Sequence, residues 1–482
     1  RLAKQGIMFT RCYSSQYCCP ARASLLMGVH DSHSRSYTQT NGGLVITAEQ
    51  QGWSNEELEK KAARAARIKP SGGEVFLPEL LKKAGYVTGQ FGKLEWGFTT
   101  WHGELKRHGW DRYVGYMDHQ RAHGYYPSFL WKDGERLPLP GNTHADGGKT
   151  PEIYGPGATE KRRGNRDGKV TYAPDAMLAE TLKFMEENRN RPMFILFSTN
   201  LPHGPVDIPP AENKYAGHPA IRQAYAGAAG GNRECAGAAE EYASMVDKLD
   251  RQVGAILAQV HKLGLEKRTI IVFSSDNGHE LYYRTDKERG RGLNCHGGVL
   301  DGTGELLDVF RGSRGLIGQK NAMVNLAGLK WTNHEGGIRV PLIVSWPGTV
   351  PHGKVCRSLV ANYDHMATFA ELAGVGMPEG KDSVSYKNML FGKPSSQRDY
   401  VVVDHTVITG DGWKLTHKQD KWLLFQISSD PEERHNLAET RKDQLERLQA
   451  IYRKEAESPR KDRQKPEQPR KTALFPPLAF AG

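Results

Sequence analysis

Three apolar runs constrain this chain more than anything else in it: Met193 to Ser198, Thr269 to Ser274 and Val340 to Trp346. Each is too short for a core helix and too continuously apolar for a strand with one wet face. Each therefore reads as a strand buried on both sides. Helical patterns stand between them. Ala176 to Asn188 is amphipathic, and Glu241 to Leu263 sets Met245, Leu249, Val253, Ile256, Leu257 and Val260 on one stripe. Leu77 to Ala84 reads as a helix stopped by Gly85, with Tyr86 to Gly92 as the next strand, and Gly6 to Phe9 as a short one. Pro20 and Gly28 bracket a short buried helix. Ser54 and Glu57 form the capping pair of a polar helix over 54–67. This alternation predicts an α/β fold with a large mixed, mostly parallel sheet flanked by helices. Residues 140–170 and 211–233 read as loops. After residue 375 the texture changes. Tyr400 to Val403 and Lys421 to Phe425 read as strands, and Asp443 to Glu455 as a helix. The expected organisation is a large α/β domain over 1–375, a small α+β subdomain over 376–456 and a basic, Pro-rich tail over 457–482.

Composition narrows the function. Of 482 residues, 38% are hydrophobic and 25% charged, which excludes wholesale disorder. No apolar stretch approaches the roughly 18 residues of a membrane span. The net charge of +11 favours anionic partners, though a solubility bias explains it equally well on charge alone. No zinc finger, RNP segment or basic zipper is present, so nucleic acid is not expected. Cys12, Cys235, Cys295 and Cys356 define no pairing.

The chemistry concentrates at Cys18-Cys19-Pro20-Ala21-Arg22, followed by Leu26-Met27-Gly28. Vicinal cysteines suit half a metal site, but no second pair at zinc spacing follows. A phosphatase-type nucleophile wants its Arg six residues on, and Arg22 is closer than that. Buried structural thiols are the commonest state of free cysteines. A fourth reading covers more of the chain. The segment resembles the activation motif of type I sulfatases, Cys-x-Pro-x-Arg followed by a hydrophobic residue, Thr and Gly. Pro20 and Arg22 put Cys18 in register, Met27 replaces the usual Thr, and Ala21 a frequent Ser. Five further motifs resemble the family's in order. They are Gly85-Tyr86-x-Thr88 leading to Gly92-Lys93, Pro202-His203-x-Pro205, and Ser275-Asp276-Asn277-Gly278. Then come Lys330 with Glu335-Gly336-Gly337-Ile338-Arg339-Val340-Pro341 and Trp346-Pro347-Gly348, and finally Asp430-Pro431-x-Glu433-x-x-Asn436-Leu437.

The resemblance implies an alkaline-phosphatase-like fold and a sulfuric ester hydrolase. It acts on a sulfated carbohydrate or aryl sulfate through formylglycine made from Cys18 by a formylglycine-generating or radical maturase. The hydrated aldehyde carries two hydroxyls, one to attack sulfur and one to expel sulfate. In this resemblance Arg22 holds the hydrate or the sulfate oxygens, and Lys93 and Lys330 clamp the sulfate. His203 protonates the leaving alcohol. Asp276, Asn277 and residue 18 itself bind calcium. Taken singly, Arg22 suits a structural ion pair, each Lys a solvated surface residue, His203 an ordinary loop histidine and Asp276-Asn277 a turn. Family members are commonly exported, which implies the periplasm or secretion.

Two departures qualify the picture. The best-known members carry His two residues after the motif Lys, where this chain has Glu95. A Glu base beside sulfate would be repelled and its pKa raised. His119-Gln120-Arg121-Ala122-His123-Gly124-Tyr125-Tyr126-Pro127 resembles a segment of a microbial arylsulfatase-like subgroup that lacks that His. His123 is therefore expected at the site, with Glu95 near the substrate. Second, the family begins with a strand ending in a metal-binding Asp-Asp pair, expected ahead of Arg1. The chain is expected to be a fragment or truncated product that binds calcium poorly. Alternatives are a phosphate or phosphonate ester hydrolase of the same fold, or an inactive relative that binds anionic glycans.

Overall fold

The computed structural model describes residues 2–34, 47–48, 51–54, 56–58, 60–61, 73–95, 102–119, 121–143, 168–204, 206–226, 233–278, 292–293, 299–300, 306–307, 313–316, 323–328, 330–393, 398–418 and 420–457. The first strand, β1 (Ile7–Tyr13), leads into α1 (Cys18–Met27). Gly28 closes α1 in the left-handed conformation, φ 65°, its N–H bonded to the Ser24 carbonyl. A side chain at Gly28 would run into Met366, so the position demands glycine twice over. Next come α2 (Leu77–Lys83), β2 (Val87–Lys93), β3 (Arg112–Tyr116), β4 (Phe129–Lys132) and β5 (Glu135–Pro138). They are followed by α3 (Ala173–Glu187), β6 (Met193–Ser198), α4 (Arg233–Lys262) and β7 (Ile271–Ser274). Then β8 (Arg339–Ser345), β9 (Lys354–Ala361) and α5 (His365–Ala373) complete the larger part.

The strands form two mixed sheets of order β9-β1-β8-β7 and β5-β4-β3-β2-β6. β2 runs parallel to both β3 and β6, and β1 parallel to β9. β8 runs antiparallel to both β1 and β7, and β3–β4–β5 form antiparallel ladders. The antiparallel share thus exceeds what the helix–strand alternation implied. Apolar runs report burial, not direction.

The expectation that Met193 to Ser198 and Thr269 to Ser274 are fully buried is corrected. β6 and β7 are half-buried along their whole length, because both border a cavity of about 1470 Å³. Two other expectations shift. Pro219–Ala226 is helical inside the expected 211–233 loop, and the expected Glu241 helix begins eight residues earlier. Residues 144–167 of the expected 140–170 loop lie outside the described residues. The Ser54–Glu57 capping box is present, with Ser54 N–H donating to Glu57 at 3.1 Å and Glu57 N–H to Ser54 Oγ at 3.2 Å.

The C-terminal part is a four-stranded antiparallel sheet of β10 (Tyr400–Val403), β11 (Thr406–Thr409), β12 (Trp413–Lys418) and β13 (Lys421–Gln426). Helix α6 (Lys442–Tyr452) packs Leu448 and Tyr452 against Val402 and Leu415. No helix among the described residues is long and apolar enough to cross a membrane.

Candidate active site

β2, β3 and β6 run parallel, so their carboxyl ends open on one side, where α/β sheets place ligands. β2 ends on Lys93, the chain beyond β3 reaches His119, and the chain beyond β6 reaches His203. From the second sheet, β7 leads into Asp276 and Asn277. Cys18 is the first residue of α1, where free backbone N–H groups and the helix dipole favour an anion.

Arg22, one turn into α1, joins these pieces. Its Nε and Nη2 donate to Asp276 Oδ2 at 3.0 and 2.8 Å, and Nη1 donates to the Lys93 carbonyl at 3.0 Å. Ser14 Oγ pins the Asp276 backbone carbonyl at 2.6 Å. Lys330 Nζ donates to His203 Nε2 at 3.2 Å. The His203 Nδ1–H donates to the Gly204 carbonyl, which leaves Nε2 as the acceptor. Arg22, Lys93, His203, Asp276, Asn277 and Lys330 line the same cavity. Pro205 of the Pro202-His203 motif lies outside the described residues.

Charge is concentrated here out of water. The Cys19 thiol donates toward Cys18, and Lys93 and Lys330 add positive charge, so Cys18 is held well below the usual thiol range. Burial pushes Cys19 up. Burial also lowers the Lys93 ammonium, with Cys18 acting in the opposite sense.

Asn277 Oδ1 is buried with no hydrogen-bond partner among the described residues, and Asn277 follows Asp276 in the chain and lines the same cavity. An orphaned amide oxygen and a carboxylate are the donor types a hard cation takes. The two residues fit calcium as two of its roughly six to eight oxygens.

The two remaining candidates are placed differently from expectation. His123 lies face to face with His203, ring centroids 4.3 Å apart and planes within 4°, so it backs the His203 ring. Glu95 does not turn its carboxylate to a substrate. Its backbone is left-handed, φ 48°, and its carboxylate accepts from His108 Nδ1 at 2.8 Å and Trp110 Nε1 at 3.0 Å. The expected substrate contact of Glu95 is corrected accordingly: it is a buried brace, 1% exposed.

Sequence reasoning missed His119 and Cys19. His119 is fully buried, with Nδ1 3.1 Å from Cys19 Sγ and Nε2 3.1 Å from the Glu95 carbonyl. The Cys18 and Cys19 sulfurs and a His119 ring nitrogen lie within 4.8 Å of one another. The available signal was position, since His119 follows a strand that ends at the site.

Comparison with known proteins decides the family. The sulfatase family model matches residues 1–375. This chain belongs to the sulfatase family. A second model, the C-terminal region of N-sulphoglucosamine sulphohydrolase, matches residues 330–462 of this sulfatase. The chain is 27% identical to Homo sapiens N-acetylgalactosamine-6-sulfatase over 79% of its own length and 58% of the relative's. It thus spans a little over half the length of the mammalian relatives it matches. A Bacteroides thetaiotaomicron N-acetylgalactosamine-6-O-sulfatase is 24% identical over 94% of the chain and 86% of the relative. Among solved structures, a sulfatase from a study of glycosaminoglycan metabolism by Bacteroides thetaiotaomicron superposes with TM-score 0.64 at 20% identity, covering 95% of this chain and 93% of that one. BT4656, solved with its substrate D-glucosamine-2-N,6-O-disulfate, gives 0.59 at 18% identity, covering 96% and 94%. These likenesses establish the alkaline-phosphatase-like fold.

Proposed function

We propose that this chain hydrolyses sulfate esters of sulfated carbohydrates, with 6-O-sulfated amino sugars first among the candidates. The observation that carries this is that Arg22, Lys93, Lys330, Asp276 and Asn277 line one cavity, with Arg22 bonded to Asp276 and to the Lys93 carbonyl, and that Cys18, one turn before Arg22 at the start of α1, lies within electrostatic reach of Lys93 and Lys330. Three cations converge there out of water, which suits an ester that carries a charge and sheds a dianion. Formylglycine made from Cys18 would supply, as its hydrate, two hydroxyls on one carbon, the chemistry by which a sulfuryl group can be both taken up and released.

The chain's own residues do the rest. Lys93 and Lys330 hold sulfate oxygens, and Arg22 fixes the separation between Lys93 and Asp276 while facing the same anion. Asp276 and Asn277 would hold a calcium ion, whose chemistry is to acidify the nucleophile and draw charge from sulfate. His203 Nε2, supplied with a proton by Lys330, is placed to protonate the departing sugar oxygen. His123 keeps the His203 ring in that plane. The relatives act on amino-sugar 6-sulfates by name, which supports that substrate class here. A maturase partner and export to the periplasm or beyond belong to the same reading.

The test is expression with a formylglycine-generating or radical maturase, followed by mass analysis of the peptide containing Cys18. Replacement of sulfur by oxygen with loss of two hydrogens is expected, together with sulfate release from N-acetylhexosamine 6-sulfates that fails in Cys18→Ala. An intact Cys18 thiol, or a converted chain that cleaves phosphate esters and no sulfate ester, overturns the proposal.

A further inference from the structure

Among the described residues neither expected candidate is placed as the base for releasing sulfate, because Glu95 faces His108 and Trp110 and His123 lies behind His203. We infer that His119 is that base, a catalytic residue that acts on the hydrate at position 18. The inference rests on the formylglycine reading.

Hydrogen bonding settles the His119 tautomer. Its Nε2 lies 3.1 Å from the Glu95 carbonyl oxygen, which can only accept, so Nε2 carries the proton. In the neutral ring Nδ1 is then a bare acceptor, and it faces the Cys18–Cys19 pair. Cys19 Sγ lies 3.1 Å from it. Glu95 thereby serves the reaction through its backbone. Its left-handed turn sends the carboxylate inward and presents the carbonyl to His119.

In the release step Nδ1 of His119 takes the proton of the hydroxyl that does not carry sulfate. The electron pair left on that oxygen re-forms the C=O bond as the carbon–oxygen bond to sulfate breaks, and sulfate leaves with the bonding pair. Water adds back across the C=O, and the proton held on Nδ1 passes to solvent. His203 serves the earlier departure of the alcohol, so the two histidines divide the two half-reactions.

The test uses the matured chain carrying His119→Gln, which keeps a donor for the Glu95 carbonyl and replaces the basic ring nitrogen with an amide that cannot take up a proton. The peptide containing position 18 is expected to show the aldehyde, as in the unsubstituted chain. With a sulfated aryl ester, the variant should release about one equivalent of alcohol and then stall. Intact mass should show one SO₃ retained on that peptide, and turnover should fall roughly 10²- to 10⁴-fold, the range of general-base contributions. Unchanged turnover, or slow turnover with no sulfate on the protein, overturns the inference. Failure of conversion at Cys18 in the unsubstituted chain overturns the formylglycine reading instead. If His119→Gln does not fold, ¹⁵N-histidine NMR of the unsubstituted chain decides. A neutral His119 with the proton on Nε2 supports the inference, and a proton on Nδ1 overturns it.

Discussion

Arg22 does two things that one lysine could not. Its fork spans from Asp276 on one sheet to the Lys93 carbonyl on the other, and so sets the distance between the proposed cation-binding and sulfate-binding halves. A lysine is a point charge on a flexible stem, able to keep one contact and lose the other. Arg22→Lys is therefore expected to lower kcat/KM on a sulfated amino sugar by roughly 10²-fold or more, the scale of losing one preorganised donor. Because Arg22 belongs to the activation motif, conversion of Cys18 is measured first, by mass analysis of its peptide. Steady-state kinetics on chain of confirmed conversion checks this. At this scale the sequence was legible where chemistry demands a residue type at a fixed spacing, as for Cys18 with Arg22 or Asp276 with Asn277. It was illegible where a backbone torsion decides. Glu95 occupies the position expected of a site residue, and only its φ of 48° shows that its carboxylate turns away. His119 was passed over for His123 because both lie in one short segment and only the fold shows which of them reaches Cys18.

Elements were easier to read than their neighbours. The apolar runs announced β6, β7 and β8, and the Pro20–Gly28 bracket announced α1, because burial and capping are local demands. Their pairing was not legible, since β8 is as apolar as a parallel strand and runs antiparallel to both neighbours. Backbone contact explains glycines that the motifs only recorded. Gly278 donates to the Gly337 carbonyl at 2.8 Å, and a side chain at Gly278 would strike the Gly336 carbonyl, so the Asp-Asn-Gly and Glu-Gly-Gly segments lie backbone against backbone. The cavity bordered by β6 and β7 bears on stability. Six residues of β6 and four of β7, nearly all apolar, remain half-buried along it. Completing their burial is favourable at about 25 cal/mol per Å² of apolar area, and a strand would satisfy their free edge groups. An extended apolar segment placed between β6 and β7, in cis or in trans, is predicted to raise the melting temperature. A scan with and without such a peptide checks this. An unchanged transition would mean that the slot does not accept a strand.

On the scale of the whole molecule, the two parts are joined by charge as well as by packing. Lys414, on β12 and wholly buried, pairs with Glu335 at 3.1 Å and Glu433 at 2.6 Å. Glu335 also accepts from Tyr13 Oη at 2.9 Å and pairs with Arg339 at 3.2 Å. Glu433 accepts the Glu335 N–H at 2.9 Å and faces His334 at 3.0 Å. The Glu-Gly-Gly-x-Arg block and the Asp-Pro-x-Glu block, far apart in sequence and both visible as motifs, are thus two sides of one clamp. Their acidic residues hold the segment after Lys330 in place. Removing the shared cation strands two carboxylates in the interior. Lys414→Met should therefore destabilise the chain by roughly 3–5 kcal/mol, the cost of breaking a buried pair, measured by denaturant unfolding at neutral pH. The clamp also sets a pH limit. Despite its burial, Lys414 and His334 hold the Glu433 carboxyl at about 2, below its ordinary 4.5. A carboxyl depressed in the folded state stabilises fully above its unfolded value, and that stabilisation is lost as pH falls through the folded one. Stability should therefore begin to drop below pH 4.5 and continue down towards pH 2. In Glu433→Gln, which never ionises, this part of the acid dependence should vanish, with lower stability at neutral pH. Equal acid slopes in the two proteins, from denaturant midpoints across that window, would mean that the joint between the two parts does not depend on this charge.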